Sequence, residues 1–345
     1  MESEKQSISP PLAGIWAKKY VNTLLAHAWE SSPPQKKGPD QTAQKILDNL
    51  RFASSQAWSK TEELLLEEVK RHRISPNLID PWKIAEDSRT LFQQAAESYK
   101  AQLTPAQFSV VISPICGRIR RHYTAENPCV LGFMSMQFHH TGLLFLEQLD
   151  PGEQGGVQNY LKVMDDHLYM PLQRTYDAAA KHEFNSPILV AVRELLPVTT
   201  RLAESICTEV AKRNPGYRSR GGSLNDPQVR ISSIRDVEMF QIYLCLSILE
   251  GNLTAIQQEL FPLCIMLYPP LQVRWFLVRQ MLALLELRLK EGVTAESYGV
   301  FAPALHTFQN MFSQEVLPDD EPIWSSHPDA IRFVDRAQEL LHKYQ

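Results

Sequence analysis

The chain has 345 residues, with 35 Lys and Arg against 39 Asp and Glu, a formal charge of −4. That balance excludes a dedicated nucleic-acid binder, which needs a basic excess. At 44% hydrophobic and 21% charged it is neither disordered nor collagen-like, and its length suits roughly two domains or one large helical one. Glycine is scarce at 14 and proline plentiful at 23, so material for phosphate-cradling loops is short, and neither G-x-G-x-x-G nor a Walker pattern occurs.

The segment Met1 to Pro11 carries Glu2 and Glu4 and no apolar stretch, so no secretory signal is expected there. The longest apolar run, Trp275–Leu289, is broken by Arg279, Glu286 and Arg288, and no segment is expected to cross a bilayer. The five cysteines, Cys116, Cys129, Cys207, Cys245 and Cys264, form no C-x-x-C and sit mostly in apolar runs, which points to buried thiols in a reducing compartment.

Helical periodicity dominates, and strict alternation is rare. In chain order, helices are predicted near 12–29, 42–73, 81–102, 105–123, 129–149, 157–183, 187–213, 231–250, 254–267, 270–291, 295–313 and 327–344. The linkers are Ser31–Asp40, Asp150–Gly156, Asn214–Asp226 and Leu317–Pro322. Several ends are marked. Ser59 to Glu62 reads as a capping box introducing Leu64–Arg73, and Asp80-Pro81 as an N-cap with proline at the first helical position. Thr104 to Gln107 reads as a second capping box, and Gly251 and Gly292 as helix ends. Pro171, Pro197 and Pro262 should kink or interrupt their helices. The expected fold is all-α, a multi-helix globular bundle of about twelve helices without the repeat of a solenoid. Its expected parts are an N-terminal helix and linker over 1–40, a helical core over 41–292 and a helical extension over 293–345.

Four segments are rich enough in reactive side chains to carry chemistry. In Ser113–Leu149, Arg118, Arg121 and His122 share a helix face, Cys116 lies just upstream, and His139 and His140 follow in an apolar helix. The plainer reading makes Arg118, Arg120 and Arg121 dipole caps and the two histidines hydrogen-bonded core residues. The sharper one is a zinc site, and a third is anion binding by the arginines. Asp165, Asp166 and His167 form a triplet favoured as a solvated face with local ion pairs over a metal or general-base site. Arg235, Asp236 and Glu238 open a long apolar helix as a structural pairing, functional only if the carboxylates face a cleft. Gln257–Leu285 is core or a docking face for another protein, with core favoured. The YRSRGG stretch Tyr217–Gly222 reads as a flexible basic loop. No G-x-S-x-G elbow is present.

Four strings, Leu131–Gly142 (LGFMSMQFHHTG), Lys162–Tyr176 (KVMDDHLYMPLQRTY), Val229–Leu253 and Gln257–Leu282, together resemble the cyanobacterial CO2 hydration protein family, the Chp/Cup proteins, over roughly residues 105–285. The resemblance implies a peripheral subunit on the cytoplasmic side of the thylakoid membrane. It would dock on the antiporter-like membrane subunit of a photosynthetic complex I (NDH) assembly and convert CO2 to bicarbonate for carbon concentration. It also implies a carbonic-anhydrase-like, redox-coupled reaction at a bound Zn²⁺, active only in the complex. Chemistry within the matched region then selects His122, His139 or His140, and Cys116 as zinc ligands. Arg118 or Arg121 would stabilise developing bicarbonate, and Glu126 or Glu147 would orient an imidazole or accept the proton. The alternative is a non-catalytic helical docking or assembly subunit.

Overall fold

The computed structural model describes the backbone of residues 11–28 and 38–319 and the side chains of 12–21 and 38–319. The fold is all-α, a multi-helix globular bundle. Among the described residues it contains thirteen α-helices and one two-stranded hairpin. The helix expected at 327–344 lies outside the described residues.

The first group of helices is α1 (Pro11–Ala28), α2 (Pro39–Arg71), α3 (Pro81–Lys100), α4 (Pro105–Thr124), α5 (Val130–Gln148) and α6 (Pro151–Tyr169). Its ends follow capping chemistry. Asp80 accepts the backbone N–H groups of Trp82 and Lys83, and Thr104 and Gln107 close a reciprocal box at the start of α4. Two expectations fail here. Ser59 opens no helix, because α2 runs unbroken through it. Asp150–Gly156 is not a linker: Pro151 occupies the first turn of α6, and Asp150 and Glu153 form a capping box that the two glycines at 155 and 156 obscure.

The second group is α7 (Leu172–Ala179), α8 (Pro187–Leu195), α9 (Thr199–Arg213), α10 (Pro227–Glu250), α11 (Phe261–Leu267), α12 (Trp275–Gly292) and α13 (Ala295–Met311). Proline divides these segments as expected. The predicted helix 157–183 breaks at Met170-Pro171, and 187–213 breaks at a 3-10 turn, Leu196–Val198, around Pro197. Before Pro262 the backbone widens into a π-turn, Ile256–Leu260, where the Phe261 N–H reaches back to the Ile256 carbonyl. Gly251 ends α10 at φ 68°, a left-handed conformation suited to glycine. The segment before α10 is not wholly loop: β1 (Arg218–Ser219) pairs antiparallel with β2 (Gly222–Ser223).

α2 packs along α5 and α3, and α4 against α6, while α10 packs on α7, α9 and α13. α5 meets α11, and α1 meets α4, α6 and α7, so the groups share one core. Trp16 and Tyr20 of α1 and Phe301 and Phe308 of α13 belong to that same cluster of buried side chains. α10 is its centre, with an unbroken buried run from Val237 to Leu249. Most of Gln257–Leu285 lies in the core, as favoured. No described helix is long and apolar enough to cross a membrane.

Candidate functional site

α4 carries an apolar stripe, Ile112, Cys116, Ile119 and Tyr123, which faces the core. That register turns Arg118, Arg121 and His122 outward, and all three are exposed, as is Glu126 just beyond the helix. The Arg121 guanidinium lies 3.9 Å from Asp177, an exposed pair. Cys116 is fully buried, and burial pushes its thiol well above the usual range. Glu147 is exposed on α5. The set chosen for zinc and bicarbonate is therefore not assembled: Cys116 lies inside the core, His122 on the opposite, outer side of α4, and His139 and His140 on α5. Among the described residues no group of three or more His, Cys, Asp or Glu side chains could hold a metal ion.

Arg120, not its neighbours, is the inward arginine of the tandem. It is 4% exposed and donates to the Leu168 carbonyl, the Glu259 carboxylate and, at 2.9 Å, the Tyr243 hydroxyl. Glu259 belongs to the π-turn, a widened turn found frequently at functional sites. Arg120 sits four residues after Cys116 and beside Ile119, so the apolar stripe itself carried the signal for its burial.

The α6 triplet also departs from the solvated face. Asp166 is fully buried, pairs with Lys162 and, at 3.1 Å, with Lys19, and accepts the Tyr20 hydroxyl at 2.9 Å. Lys162 and Lys19 hold its carboxyl far below the usual carboxylate range against the opposing effect of burial. Glu238 of α10 takes the same two lysines, Lys19 at 2.9 Å and Lys162 at 3.7 Å. His167 is buried, its Nδ1 2.8 Å from the Val163 carbonyl, and burial lowers it to about 4.

Where α5, α6 and α10 meet, the surface opens into a cleft with two lobes of about 450 and 650 Å³, both lined by His139, Leu143 and Gln228. The smaller lobe is bounded by Arg235, Asp236, Tyr268, α11, α12 and the hairpin around Arg220. The larger is bounded by Lys19, Lys162, Asp165, Arg230 and Glu238. Asp236 and Glu238 thus meet the condition of facing a cleft. The Arg235–Asp165 ion pair stands between the lobes, and the Arg235 guanidinium carbon lies over Tyr169, 3.7 Å from the ring centroid. Burial raises Asp236 to about 6, against the pull of Arg235 and a Tyr268 hydrogen bond. Burial also lowers His139, and burial with the neighbouring His139 lowers His140 to about 4. Both imidazoles are therefore neutral near pH 7, and the His140 ring Nδ1 lies 3.1 Å from the Thr61 hydroxyl.

Residues 139, 165, 235 and 268 are drawn from distant parts of the chain, and no short motif joins them. The indication that existed was ionisable residues embedded in apolar runs. No known family's sequence profile, no curated protein and no solved structure matches the chain.

Proposed function

We propose that this chain is a non-catalytic helical binding protein, and that the cleft around His139 is its working part. One observation carries the reading: two ligand-sized lobes meet at His139 over a floor of buried, mostly paired charges. Pockets of several hundred Å³ with apolar walls and a few convergent polar groups are the usual form of a small-molecule site. The cleft's charges are held by partners, and the nearby Cys264 thiol is pushed up by burial, a poor state for a nucleophile. Positioning and recognition are what such an arrangement does well.

The test is Leu143→Trp, since Leu143 borders both lobes and is only partly buried. A panel of neutral and anionic apolar compounds is screened by thermal shift. Compounds that raise the melting temperature of the parent protein should lose that effect in the variant. Equal shifts in both proteins would defeat the reading.

A second reading rests on the resemblance: the CO2-hydrating, zinc-dependent subunit docked on an antiporter-like membrane subunit. What favours it is that His139 and His140, two of its chosen residues, do border the cleft as neutral imidazoles beside an arginine. His122, Cys116, Arg118, Arg121, Glu126 and Glu147 have no place in it. Oxygen-isotope exchange between CO2 and water, measured on the intact assembly, tests this. His139→Ala should abolish exchange, whereas His122→Ala should leave it unchanged. Retained exchange in His139→Ala removes the reading.

A further inference from the structure

An imidazole stands at the junction of the two lobes, and no described residue hydrogen bonds to it. Other histidines withdrawn from water are paired. His140 Nδ1 lies 3.1 Å from the Thr61 hydroxyl, His167 Nδ1 2.8 Å from the Val163 carbonyl and His182 Nε2 2.7 Å from the Leu249 carbonyl. Half-buried His139 borders both lobes, and among the described residues neither of its ring nitrogens has a hydrogen-bond partner. Neither nitrogen is sealed from solvent, so both remain within reach of a molecule in the cleft that the ring lines. A polar ring held among apolar walls and left unpaired calls for a hydrogen-bonding group there.

Chemistry narrows the occupant. Burial keeps His139 neutral, and Asp165 and Arg235 act on it in opposite senses while paired to each other, so the ring faces no net charge. A neutral imidazole offers one N–H donor and one lone pair. A carbonyl can meet only the N–H and an ammonium only the lone pair, whereas a hydroxyl can meet either. A carboxylate would find one N–H and no uncommitted cation at the ring, because Arg235 is already held by Asp165. The walls then select the body. Met136, Met239 and Met281 bring three thioethers to the smaller lobe beside Tyr268, and no methionine lines the larger one. Thioethers contact aromatic rings favourably and adapt to their shape.

We infer that the smaller lobe binds a neutral hydroxylated aromatic molecule, a phenol, whose hydroxyl pairs with the His139 imidazole and whose ring lies among Met136, Met239 and Met281. This rests on the cleft being a binding site, and it assigns that site a chemical class and an orientation: hydroxyl at the junction of the lobes, aromatic body in the methionine-lined one.

Three fluorescent probes of similar shape test it by titration on the full chain: β-naphthol, β-methylnaphthalene, which cannot hydrogen bond, and the anion β-naphthoate. β-Naphthol should bind about ten-fold more tightly than β-naphthoate, which would carry a charge into the lobe. Its affinity relative to β-methylnaphthalene should fall about ten-fold in His139→Phe, which keeps a ring and loses both nitrogens. His139→Gln keeps one donor and one acceptor and should retain most of the parent ratio. Leu271→Trp, at the edge of the smaller lobe, should abolish β-naphthol binding, while Ile231→Trp, beside the larger lobe, should not. Should His139→Phe fail to fold, the ranking of β-naphthol over β-naphthoate on the parent protein and the two tryptophan variants decide alone. An unchanged ratio in His139→Phe, or preference for β-naphthoate, overturns the ligand class and leaves the cleft reading standing. β-Naphthol blocked by Ile231→Trp instead of Leu271→Trp overturns the lobe. Binding of no probe overturns the inference, and the Leu143→Trp thermal-shift screen reports separately on the cleft.

Discussion

The outer face of α4 and the cleft beneath α10 both collect arginine and histidine, yet they are physically opposite. On α4, Arg118, Arg121 and His122 stand in water, where a guanidinium is well solvated and an ion pair adds little. In the cleft, Arg235 and His139 are withdrawn from water, so each must be satisfied or shifted: Arg235 by Asp165 and Tyr169, His139 by staying neutral. Density of ionisable residues along the sequence is the same kind of signal in both places. Burial separates a solvated face from a site, and burial is a property of packing partners far away in the chain.

The largest break of this contrast comes from the buried arginines. Arg120→Ala takes the buried guanidinium from Glu259, leaving it Arg174 at 3.3 Å and the Tyr243 hydroxyl at 2.7 Å, and should cost about 3 kcal/mol in denaturant unfolding. Arg118→Ala and Arg121→Ala, two and one positions away, should stay within about 0.5 kcal/mol. Similar losses in all three would erase the distinction.

Acid should act on the buried histidines. His140 and His167 fall from an ordinary 6.5 to about 4 on folding, so the unfolded chain binds more protons between those limits. Stability contributed by their neutral forms is complete above pH 6.5 and is lost toward pH 4, at about 1.4 kcal/mol per unit for each group. Asp236, raised from 3.8 to about 6, works in the opposite sense: its protonation on the way down favours the folded chain. His167→Gln should flatten the acid limb of unfolding free energy against pH, and Asp236→Asn should steepen it.

The smallest effect sharpens the comparison from the helix ends. Thr104→Ala removes the hydroxyl that accepts the Gln107 N–H and should cost about 1 kcal/mol by thermal unfolding, without changing either cleft lobe.

How much of this was legible follows from range. The α3 and α4 caps at Asp80 and Thr104, the α10 end at Gly251 and the breaks at Pro171 and Pro197 depend on neighbours within a turn or two, and the sequence displays them. Ser59 shows the converse. A sequence that can cap a helix does so only where tertiary packing lets the helix end, and α2 is held along α5 through that point. Arg120 was readable from the apolar stripe it joins, whereas the charge cluster around it drew the eye to Arg118 and Arg121. The cleft was not readable, because His139, Asp165 and Arg235 meet only when three helices close on one another.

The π-turn before α11 has a consequence for how this protein tolerates change. A widened turn holds one residue more than the regular spiral would, and each residue advances an α-helix by about 100°. That extra residue is what sets the direction of Glu259 toward Arg120, so loss of Leu260, between Glu259 and α11, would turn the carboxylate off the Arg120 axis by about that angle. Exposed Gln258 can be exchanged for another helix-forming side chain at little cost. Drift in this stretch is therefore free at Gln258 and held at Ile256, Glu259 and Leu260, which are buried.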